Sequence, residues 1–280
     1  MVQQSTVPDL VAAKGQRTLV AITAYDAPTA RWGEEGGADI LLVGDSLAMV
    51  VLGHDTTLAV TLDEMIHHAR AVTRVTRRCL VVGDMPFGSY QTGVADAVSS
   101  GVRFLKEGGV HAVKLEGLWP EHVRALVRAG VPVMGHVGLT PQSVHRLGGY
   151  RVQGRRLEDA QALVAAGHEL EKAGCFALVL ESVPAEVARV VTREVAIPTV
   201  GIGAGVHCDG QVLVVHDLLG ISPPPRPRFV STYAELGAEA TRAIAAWAAD
   251  VRGGRVPTAA TSYALGEEVA AEWRQRYPED

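Results

Sequence analysis

The chain contains several uninterrupted apolar runs, each of which ends in a charged or titratable residue. The clearest run is Ile40–Val43, which is followed by Gly44 and Asp45. Apolar runs without alternation are typical of strands buried on both faces, as in parallel sheets covered by helices. Four further runs end in the same way, at Asp84, Glu116, His136 and Glu181. Because parallel strands present their carboxyl ends at one edge, these residues are predicted to share one cavity.

The spacing of the runs predicts a single (β/α)8 TIM barrel of the α/β class. Eight strands are predicted, the first over residues 18–23 and the last over residues 211–215, with helices between most of them. A length of 280 residues fits one barrel with a tail, and it also fits two small domains. The regular repeat of helix, small-residue cap, apolar strand and acid favours a closed barrel over an open sheet.

The two ends of the chain are predicted to lie outside the repeats. Residues 7–14 are predicted to form a short helix before the first strand. After the stiff proline segment at 223–227, the Ala-rich residues 231–251 are predicted to form the eighth barrel helix. We therefore expect a barrel domain over 1–251, including the N-terminal helix, and a tail over 252–280 that packs or makes subunit contacts.

Two connections are longer than simple turns. Residues 47–60 form the first long connection, in which residues 53–57 are predicted to form an ordered loop over the mouth of the barrel, and residues 138–155 form the second. Long connections in compact domains tend to be functional. Thr61 is predicted to cap the helix that follows the first of these loops, with Glu64 completing a capping box.

Composition excludes several classes of protein. A formal net charge of −5 argues against a nucleic-acid partner, since phosphate backbones are bound through clustered Lys and Arg. The three cysteines are widely spaced and predict neither disulfides nor a zinc site. No apolar stretch suits a signal peptide or a membrane span, so we expect a cytoplasmic protein without a membrane partner.

Asp45 and Asp84 are predicted to share a divalent metal ion. They end neighbouring strands, and carboxylates without a thiolate or paired histidines favour Mg²⁺ or Mn²⁺. The alternative is that each acid caps the following helix or ties down its loop. Glu116, as a third acid at the next strand end, favours the metal.

Lys114 lies two residues before Glu116, so the two side chains are predicted to point together into the barrel. A buried lysine needs an anion. That anion is either a substrate carboxylate or an internal carboxylate, from Asp84 or Glu116.

Glu181 and His136 are further candidates for chemistry. Glu181 is predicted to lie across the ring from the metal, near apolar side chains that raise its pKa, and to act as a general base. Capping of the helix at residue 184 is the competing role. His136 either contacts a substrate carbonyl or is a structural hydrogen-bond donor.

The glycines at residues 201–205 have two interpretations. They resemble the phosphate cradles that follow strands seven and eight of barrels, but no Lys or Arg follows until Arg226. A tight turn is the alternative.

Taken together, these residues predict a metal-assisted enzyme that acts on a small carboxylate-bearing substrate. A 2-oxo acid chelates Mg²⁺, which stabilises the enolate formed when a base removes the C3 proton. The enolate carbon can then be joined to carbon or broken from it, and the spacing does not decide between the two.

The chain also resembles the ketopantoate hydroxymethyltransferase family from about Thr18 to Pro257. The matching motifs are residues 22–26 (ITAYD), 42–46 (LVGDS), 53–57 (GHDTT), 84–87 (DMPF), 113–117 (VKLEG), 135–143 (GHVGLTPQS), 148–155 (GGYRVQGR), 201–205 (GIGAG) and 209–211 (DGQ). Departures are small: Ala48 and Ala59 stand where the family tends to have Gly and Pro, and the tail beyond about Tyr263 is longer than usual.

The resemblance implies a barrel of the phosphoenolpyruvate mutase and isocitrate lyase type. It implies transfer of a hydroxymethyl group from 5,10-methylenetetrahydrofolate to 3-methyl-2-oxobutanoate, giving 2-dehydropantoate in pantothenate and coenzyme A synthesis. It also implies a homo-oligomer, usually a decamer. The resemblance also implies residue roles. Asp45 and Asp84 would bind Mg²⁺, and Glu116 would be a third acid that reaches the ion through water. The oxo acid would be contacted by Asp45, Ser46, Asp84 and Lys114, and Glu181 would be the base.

Two alternatives stay open at this point. One is a Mg²⁺-dependent lyase that cleaves a 2-oxo acid, although the cysteine-bearing loop that such enzymes use as an acid is not apparent. The other is a metal-binding scaffold that has lost catalysis, which would lack one of the acids. None of the acids is missing.

Overall fold

The computed structural model describes residues 4–278. Its centre is a closed barrel of eight parallel strands in chain order. The strands are β1 Leu19–Thr23, β2 Ile40–Val43, β3 Leu80–Asp84, β4 Ala112–Glu116, β5 Val133–Gly138, β6 Ala177–Glu181, β7 Thr199–Ile202 and β8 Gly210–Leu213. The predicted (β/α)8 barrel is confirmed.

Helices follow most of the strands. They are α1 Val7–Ala12, α2 Ala27–Glu35, α3 Leu47–Val50, α4 Leu62–Thr73, α5 Val94–Arg103, α6 Pro120–Arg128, α7 Val144–Leu147, α8 Leu157–Ala173, α9 Ala185–Glu194, α10 Val215–Leu218, α11 Leu236–Arg252 and α12 Glu267–Arg276. Short 3₁₀ turns lie at Thr57–Ala59, Pro141–Ser143 and Ala259–Thr261, and a π-helical turn at Phe104–Gly108 extends α5. None of the helices within residues 4–278 combines the length and apolarity needed to cross a bilayer.

The uninterrupted apolar runs are explained by two layers of core. In β2, Ile40 and Leu42 belong to the cluster inside the barrel, whereas Leu41 and Val43 belong to the cluster between strands and helices. Successive strand residues point to opposite faces, so a strand that is covered on both faces needs apolar residues at every position. Both faces of β2 are buried.

The N-terminal helix α1 packs at the amino-terminal end of the strands. Leu10 belongs to the same apolar cluster as the interior residues of the barrel. Lys14 Nζ, just after this helix, forms an ion pair of 2.8 Å with Asp209 Oδ2, and Asp209 directly precedes β8. The opposite, carboxyl-terminal end of the barrel is where the cavity opens.

The predicted capping box of α4 is confirmed. Thr61 Oγ1 accepts a hydrogen bond from the backbone N–H of Glu64, and a Glu64 carboxylate oxygen accepts one from the backbone N–H of Thr61. The two interactions satisfy N–H groups that have no partner within the first turn. This fixes where the first long loop ends.

Some element boundaries differ from the prediction. His136 lies inside β5 rather than at its end, because β5 continues to Gly138. The last strand begins and ends earlier than predicted, since Val215 is already the first residue of α10.

The chain divides by its contacts into two units, Met1–Ala234 and Glu235–Asp280. The helix predicted over 231–251 as the eighth barrel helix is α11, which falls in the second unit and has no buried residue. The helix directly after β8 in the first unit is the short α10. The expected division of domains after residue 251 stays a prediction, whereas the contacts divide the chain after Ala234.

Candidate active site

A cavity of about 980 Å³ lies at the carboxyl ends of the strands, within the first unit. It is lined by every residue that the sequence predicted for the site, namely Asp45, Ser46, Asp84, Lys114, Glu116, His136 and Glu181. The predicted convergence at one cavity is therefore observed.

Strand register places four of these residues side by side. Asp84 on β3 pairs with Lys114 on β4, and Glu116 on β4 pairs with His136 on β5. All four are buried. Lys114 and Glu116 are two positions apart on one strand, so they share the face that points into the barrel.

Lys114 is held by the acids around it. Its Nζ lies 2.8 Å from Asp84 Oδ1 and 3.8 Å from Glu116 Oε1. Burial opposes the charged form, but the neighbouring carboxylates outweigh it and raise the pKa of Lys114 above its ordinary value. The internal ion pair, one of the two interpretations drawn from the sequence, is confirmed.

The cluster contains more carboxyl groups than cationic groups. The backbone N–H of Asp45 lies 3.2 Å from Asp84 Oδ2, which places the two acids next to each other. Burial raises the pKa of Asp84 to about 8, with Lys114 opposing and Asp45 adding to the rise. Burial also raises the pKa of Glu116 well above its ordinary value. Buried carboxylates in excess over their cationic partners favour a further positive charge.

The donor set fits a hard divalent cation. Asp45, Asp84 and Glu116 supply carboxylate oxygens, and the only cysteines, Cys79, Cys175 and Cys208, do not line the cavity. Within residues 4–278, no group of three or more His, Cys, Asp or Glu side chains is already arranged to hold a metal ion. Two of the acids instead use their oxygens on protein partners, since Asp84 binds Lys114 and Asp45 Oδ2 accepts from Gln142.

Neither aspartate serves as a helix cap. The N-cap of α3 is Ser46, which makes no side-chain cap hydrogen bond, and the N-cap of α5 is Gly93. The capping interpretation of Asp45 and Asp84 is therefore wrong. Both carboxylates face the cavity.

His136 connects the acid cluster to Glu181. Its Nδ1 lies 3.2 Å from Lys114 Nζ, and its Nε2 lies 3.3 Å from Glu181 Oε2. Burial, followed by the charge of Lys114, lowers the pKa of His136, so the imidazole is neutral near pH 7. With the lysine donating to Nδ1, the hydrogen is assigned to Nε2, where it faces the carboxylate of Glu181.

Glu181 ends β6 and is fixed through its backbone. Its carbonyl oxygen accepts a hydrogen bond of 2.8 Å from the backbone N–H of Leu139, in the second long loop. Ser182, the next residue, has a φ of 48°, which is uncommon for a residue other than glycine. The chain leaves the extended conformation of β6 at this residue. The N-cap of α9 is Pro184, without a side-chain cap, so the capping interpretation of Glu181 is wrong.

Ser46 is held by a residue that the sequence reasoning did not assign to the site. The hydroxyl groups of Ser46 and Tyr25 lie 2.8 Å apart. Tyr25 is buried, and burial raises its pKa, so it stays a neutral hydrogen-bonding partner. Tyr25 lies within the ITAYD motif, which was the available signal.

Gln142 and Tyr90 are also missing from the predicted site. Gln142 Nε2 donates to Asp45 Oδ2 and to the carbonyl oxygen of Met85, both at 2.9 Å. The backbone N–H of Gln142 donates to Glu116 Oε2 at 2.9 Å, and Gln142 Oε1 accepts from Tyr90 Oη at 2.7 Å. The only signal in the sequence was the position of Gln142 in a long loop and a family motif.

Both long loops reach the cavity. Met49, His54 and Thr57 from the first loop line it, and so does Tyr150 from the second. The two loops approach each other where Tyr150 Oη lies 3.9 Å from Met49 Sδ. Three residues of the predicted loop at 53–57, namely His54, Asp55 and Thr57, line the cavity, so the prediction of a loop at the mouth is confirmed. The longer connection over 47–60 also contains α3 and a 3₁₀ turn.

The glycines after β7 pack against protein atoms. Gly203 has a φ of +62°, and a Cβ at this position would lie 2.7 Å from Phe229 Cδ1. Gly205 has a φ of +78°. These values agree with the tight-turn interpretation of residues 201–205.

Solved structures with the same fold have low sequence identity to this chain. The crystal structure of phosphonopyruvate hydrolase in complex with oxalate and Mg²⁺ has a TM-score of 0.60 at 14% identity, covering 98% of this chain and 100% of that one. The structure of 2,3-dimethylmalate lyase, a member of the PEP mutase/isocitrate lyase superfamily, has a TM-score of 0.59 at 19% identity, covering 97% and 94%. At these identities the similarities show the fold alone.

Curated relatives are much more similar in sequence. The 3-methyl-2-oxobutanoate hydroxymethyltransferase of Oleidesulfovibrio alaskensis is 56% identical over 273 residues, covering 96% of this chain and 94% of the relative. The protein of the same name from Carboxydothermus hydrogenoformans is 52% identical, covering 91% and 93%. The family model described as "Ketopantoate hydroxymethyltransferase" matches residues 4–259 of this chain. The chain is therefore an enzyme that belongs to the ketopantoate hydroxymethyltransferase family.

Proposed function

We propose that this enzyme transfers a hydroxymethyl group from 5,10-methylenetetrahydrofolate to 3-methyl-2-oxobutanoate. With one water molecule, the products are tetrahydrofolate and 2-dehydropantoate. The C3–H bond of the oxo acid, the two C–N bonds of the methylene carbon and one O–H bond of water are broken. One C–C bond, one C–O bond and two N–H bonds on tetrahydrofolate are formed. Relatives that are more than 50% identical over the aligned residues carry the corresponding name, which supports this activity.

The observation that carries the proposal is the chain of contacts Asp84–Lys114–His136–Glu181. Successive members lie 2.8, 3.2 and 3.3 Å apart. It joins a cluster of acids at one end to a single carboxylate at the other. A reaction that begins by removing a proton from carbon needs both a base and a site that accepts the resulting negative charge.

Asp45 and Asp84 are the residues that would hold Mg²⁺, with Glu116 as the third acid of the group. When bound, Mg²⁺ supplies positive charge beside the carboxylate and keto oxygens of the oxo acid. The excess of carboxylates over Lys114 supports this assignment, because the cluster is deficient in positive charge.

Asp45, Ser46, Asp84 and Lys114 are proposed to contact the oxo acid. The Lys114 ammonium lies on the cavity wall and offers three N–H donors, of which Asp84 and His136 take two. The remaining donor suits a substrate carboxylate. The Ser46 hydroxyl, held by Tyr25, is a second fixed donor or acceptor.

Glu181 is proposed to accept the C3 proton. Its side chain is 17% exposed, so it reaches the cavity while most of it is shielded from water. Nε2 of neutral His136 lies 3.3 Å from Glu181 Oε2, so the imidazole contacts the carboxylate and does not compete with it as an acid. His136 therefore has a positioning role toward Glu181, in addition to its predicted contact with substrate.

The experiment that tests this function is a complete transfer assay with mass-resolved product. The purified enzyme is given Mg²⁺, 3-methyl-2-oxobutanoate and methylenetetrahydrofolate labelled at the methylene carbon. We expect 2-dehydropantoate that carries the label. Formation of a smaller oxo acid without use of the folate would instead identify a lyase. Assembly into a decamer and a cytoplasmic location stay predictions.

A further inference from the structure

The cavity is large for the oxo acid alone. Its volume of about 980 Å³ lies near the upper end of the range of about 300–1,000 Å³ typical of pockets for drug-sized ligands. The acid cluster, Lys114, His136 and Glu181 occupy the part of the wall formed by β2 to β6. A second part of the wall is the segment from His216 to Phe229, after β8.

This second wall carries polar atoms that have no protein partner. Within the described residues, six buried side-chain nitrogen or oxygen atoms lack a hydrogen-bond partner. Two of them are His216 Nδ1 and Ser222 Oγ, and both residues line the cavity. Buried polar groups are nearly always hydrogen-bonded in folded proteins, so these two atoms indicate a ligand that pairs with them.

Hydrogen bonds within the protein fix the backbone of this wall. The carbonyl oxygen of His216 accepts hydrogen bonds from the backbone N–H groups of Ile221 and Ser222, at 2.8 and 3.2 Å. The guanidinium of Arg226 donates to the carbonyl oxygen of Ser222 from Nε at 3.1 Å and from Nη2 at 3.0 Å. These bonds fix the backbone that carries both unpaired side chains.

The rest of the wall is apolar and aromatic. Ile221, the three prolines at 223–225 and Phe229 line it. The ring of Tyr25 lies 5.4 Å from the ring of His216 at an angle of 48°. Proline and aromatic surfaces with a few fixed polar groups are typical of sites for flat heterocyclic ligands.

The ionisation of His216 restricts the class of ligand. Burial lowers its pKa, although Asp26 and Asp217 oppose the change, so the imidazole is neutral near pH 7. A neutral imidazole has one donor and one acceptor nitrogen, and a serine hydroxyl can do both. A pterin ring, which alternates N–H donors with nitrogen and carbonyl acceptors along its edge, matches this pair.

We propose that the wall from His216 to Phe229 binds the pterin ring of the folate co-substrate, with His216 and Ser222 as its hydrogen-bonding residues. The assignment rests on the proposed function. It places the one-carbon donor against the β8 side of the cavity and the oxo acid against the acid cluster. Within the described residues, two of the unpaired polar side chains, the three prolines at 223–225 and the ring of Phe229 lie together on this segment of the cavity wall.

The test uses His216→Phe and Ser222→Ala in the full chain. Phenylalanine keeps an aromatic ring beside Tyr25 and removes both nitrogens, while alanine removes only the hydroxyl. His168→Asn is the matched control, because His168 lies on α8 with its side chain 45% exposed and does not line the cavity. Circular dichroism and thermal unfolding verify that each variant folds, and Ser222→Ala is the smaller change if His216→Phe does not.

Two quantities are measured for each variant. One is the Kd for tetrahydrofolate by calorimetry, together with the KM for methylenetetrahydrofolate. The other is the rate at which the oxo acid exchanges its C3 hydrogen in D₂O without folate. We expect both folate constants to rise about tenfold in each variant, which corresponds to about 1.4 kcal/mol. The loss in folate affinity should exceed any change in the exchange rate.

The outcomes separate the assignment from the function on which it rests. Folate constants within twofold of wild type in both folded variants overturn the assignment, provided that wild type transfers the hydroxymethyl group. Wild type that neither binds tetrahydrofolate nor transfers the group overturns the proposed function itself. Equal losses in folate affinity and in exchange also contradict the assignment, because they indicate a general effect on the cavity.

Discussion

The side-chain amide of Gln142 donates a hydrogen bond of 2.9 Å to Asp45 Oδ2. The backbone N–H of Gln142 also binds Glu116, so one residue of the second long loop orients two of the three acids. The amide itself is fixed, because its oxygen accepts from Tyr90. Removing a residue that hydrogen-bonds to a metal ligand and orients it commonly lowers metal affinity by about 10- to 100-fold.

We therefore predict that Gln142→Leu weakens binding of a divalent cation by about tenfold. The leucine removes the hydrogen bond to Asp45 and keeps the backbone N–H that binds Glu116. Titration with Mn²⁺, followed by electron paramagnetic resonance of the free ion, measures this affinity without any turnover. Gln161→Leu, on the exposed face of α8, is the control. An unchanged Mn²⁺ affinity in Gln142→Leu contradicts the orienting role.

Lys114→Met should destabilise the fold as well as abolish activity. Removing one partner of a buried ion pair leaves the other charge uncompensated and typically costs about 3–5 kcal/mol. Here Asp84 and Glu116 lose their cation together. Urea unfolding at pH 7 measures the loss, with Lys106→Met on the π-helical turn as the control. A change of less than about 1 kcal/mol in the free energy of unfolding would be inconsistent with the ion pair described here.

His136→Leu should lower the rate of proton removal more than it changes the KM of the oxo acid. The leucine removes the imidazole whose Nε2 lies 3.3 Å from Glu181 Oε2, whereas the carboxylate itself remains. We expect a fall of about 100-fold in the C3 exchange rate. His136→Gln, whose amide N–H can reach a similar position, should recover part of that loss. If the two variants are equally slow, His136 does not act through an N–H group directed at Glu181.

Stability should depend on pH through Glu34, at the end of α2. Burial opposes ionisation, but backbone N–H groups of Arg78, Arg77 and Cys79 donate to this carboxylate and lower its pKa. A lowered pKa in the folded state stabilises the protein above the unfolded value of about 4.3, and the stabilisation is lost as pH falls through the folded value.

Glu34→Gln keeps an acceptor oxygen and removes the charge. The difference in unfolding free energy between wild type and this variant should be about 1 kcal/mol at pH 7 and smaller at pH 3. Urea unfolding at both pH values measures it, and Glu35→Gln is the control. A difference that stays constant with pH contradicts the assigned role of the charge.

The barrel and the residues of its mouth were predictable from the sequence. A strand such as Ile40–Val43, buried on both faces, leaves a continuous apolar run, and Asp45 directly after it must lie at the carboxyl-terminal edge. The inward direction of Lys114 followed from its two-residue spacing to Glu116. What the sequence left open was the choice of anion, because that depends on which carboxylate the neighbouring strand brings within reach.

Other features were not predictable, for physical reasons. The hydrogen bond between Gln142 and Asp45 joins residues far apart in sequence, and a local pattern carries no signal for such a contact. The helix Leu236–Arg252 was predicted to exist, but its Ala-rich pattern does not say against what it packs. His136 was predicted at the end of its strand, because the apolar run stops there. The hydrogen-bonded strand continues to Gly138, and an apolar run does not show where strand pairing ends.

The central claim is that Glu181 removes the C3 proton of a 2-oxo acid held at the acid cluster. It is tested most directly by supplying 3-methyl-2-oxobutanoate and Mg²⁺ in D₂O without folate and following loss of the C3 proton by NMR. We predict exchange by wild type and a rate on the order of 100-fold lower for Glu181→Gln. Full exchange by the folded Glu181→Gln variant would contradict the claim, and so would release of a smaller oxo acid by wild type.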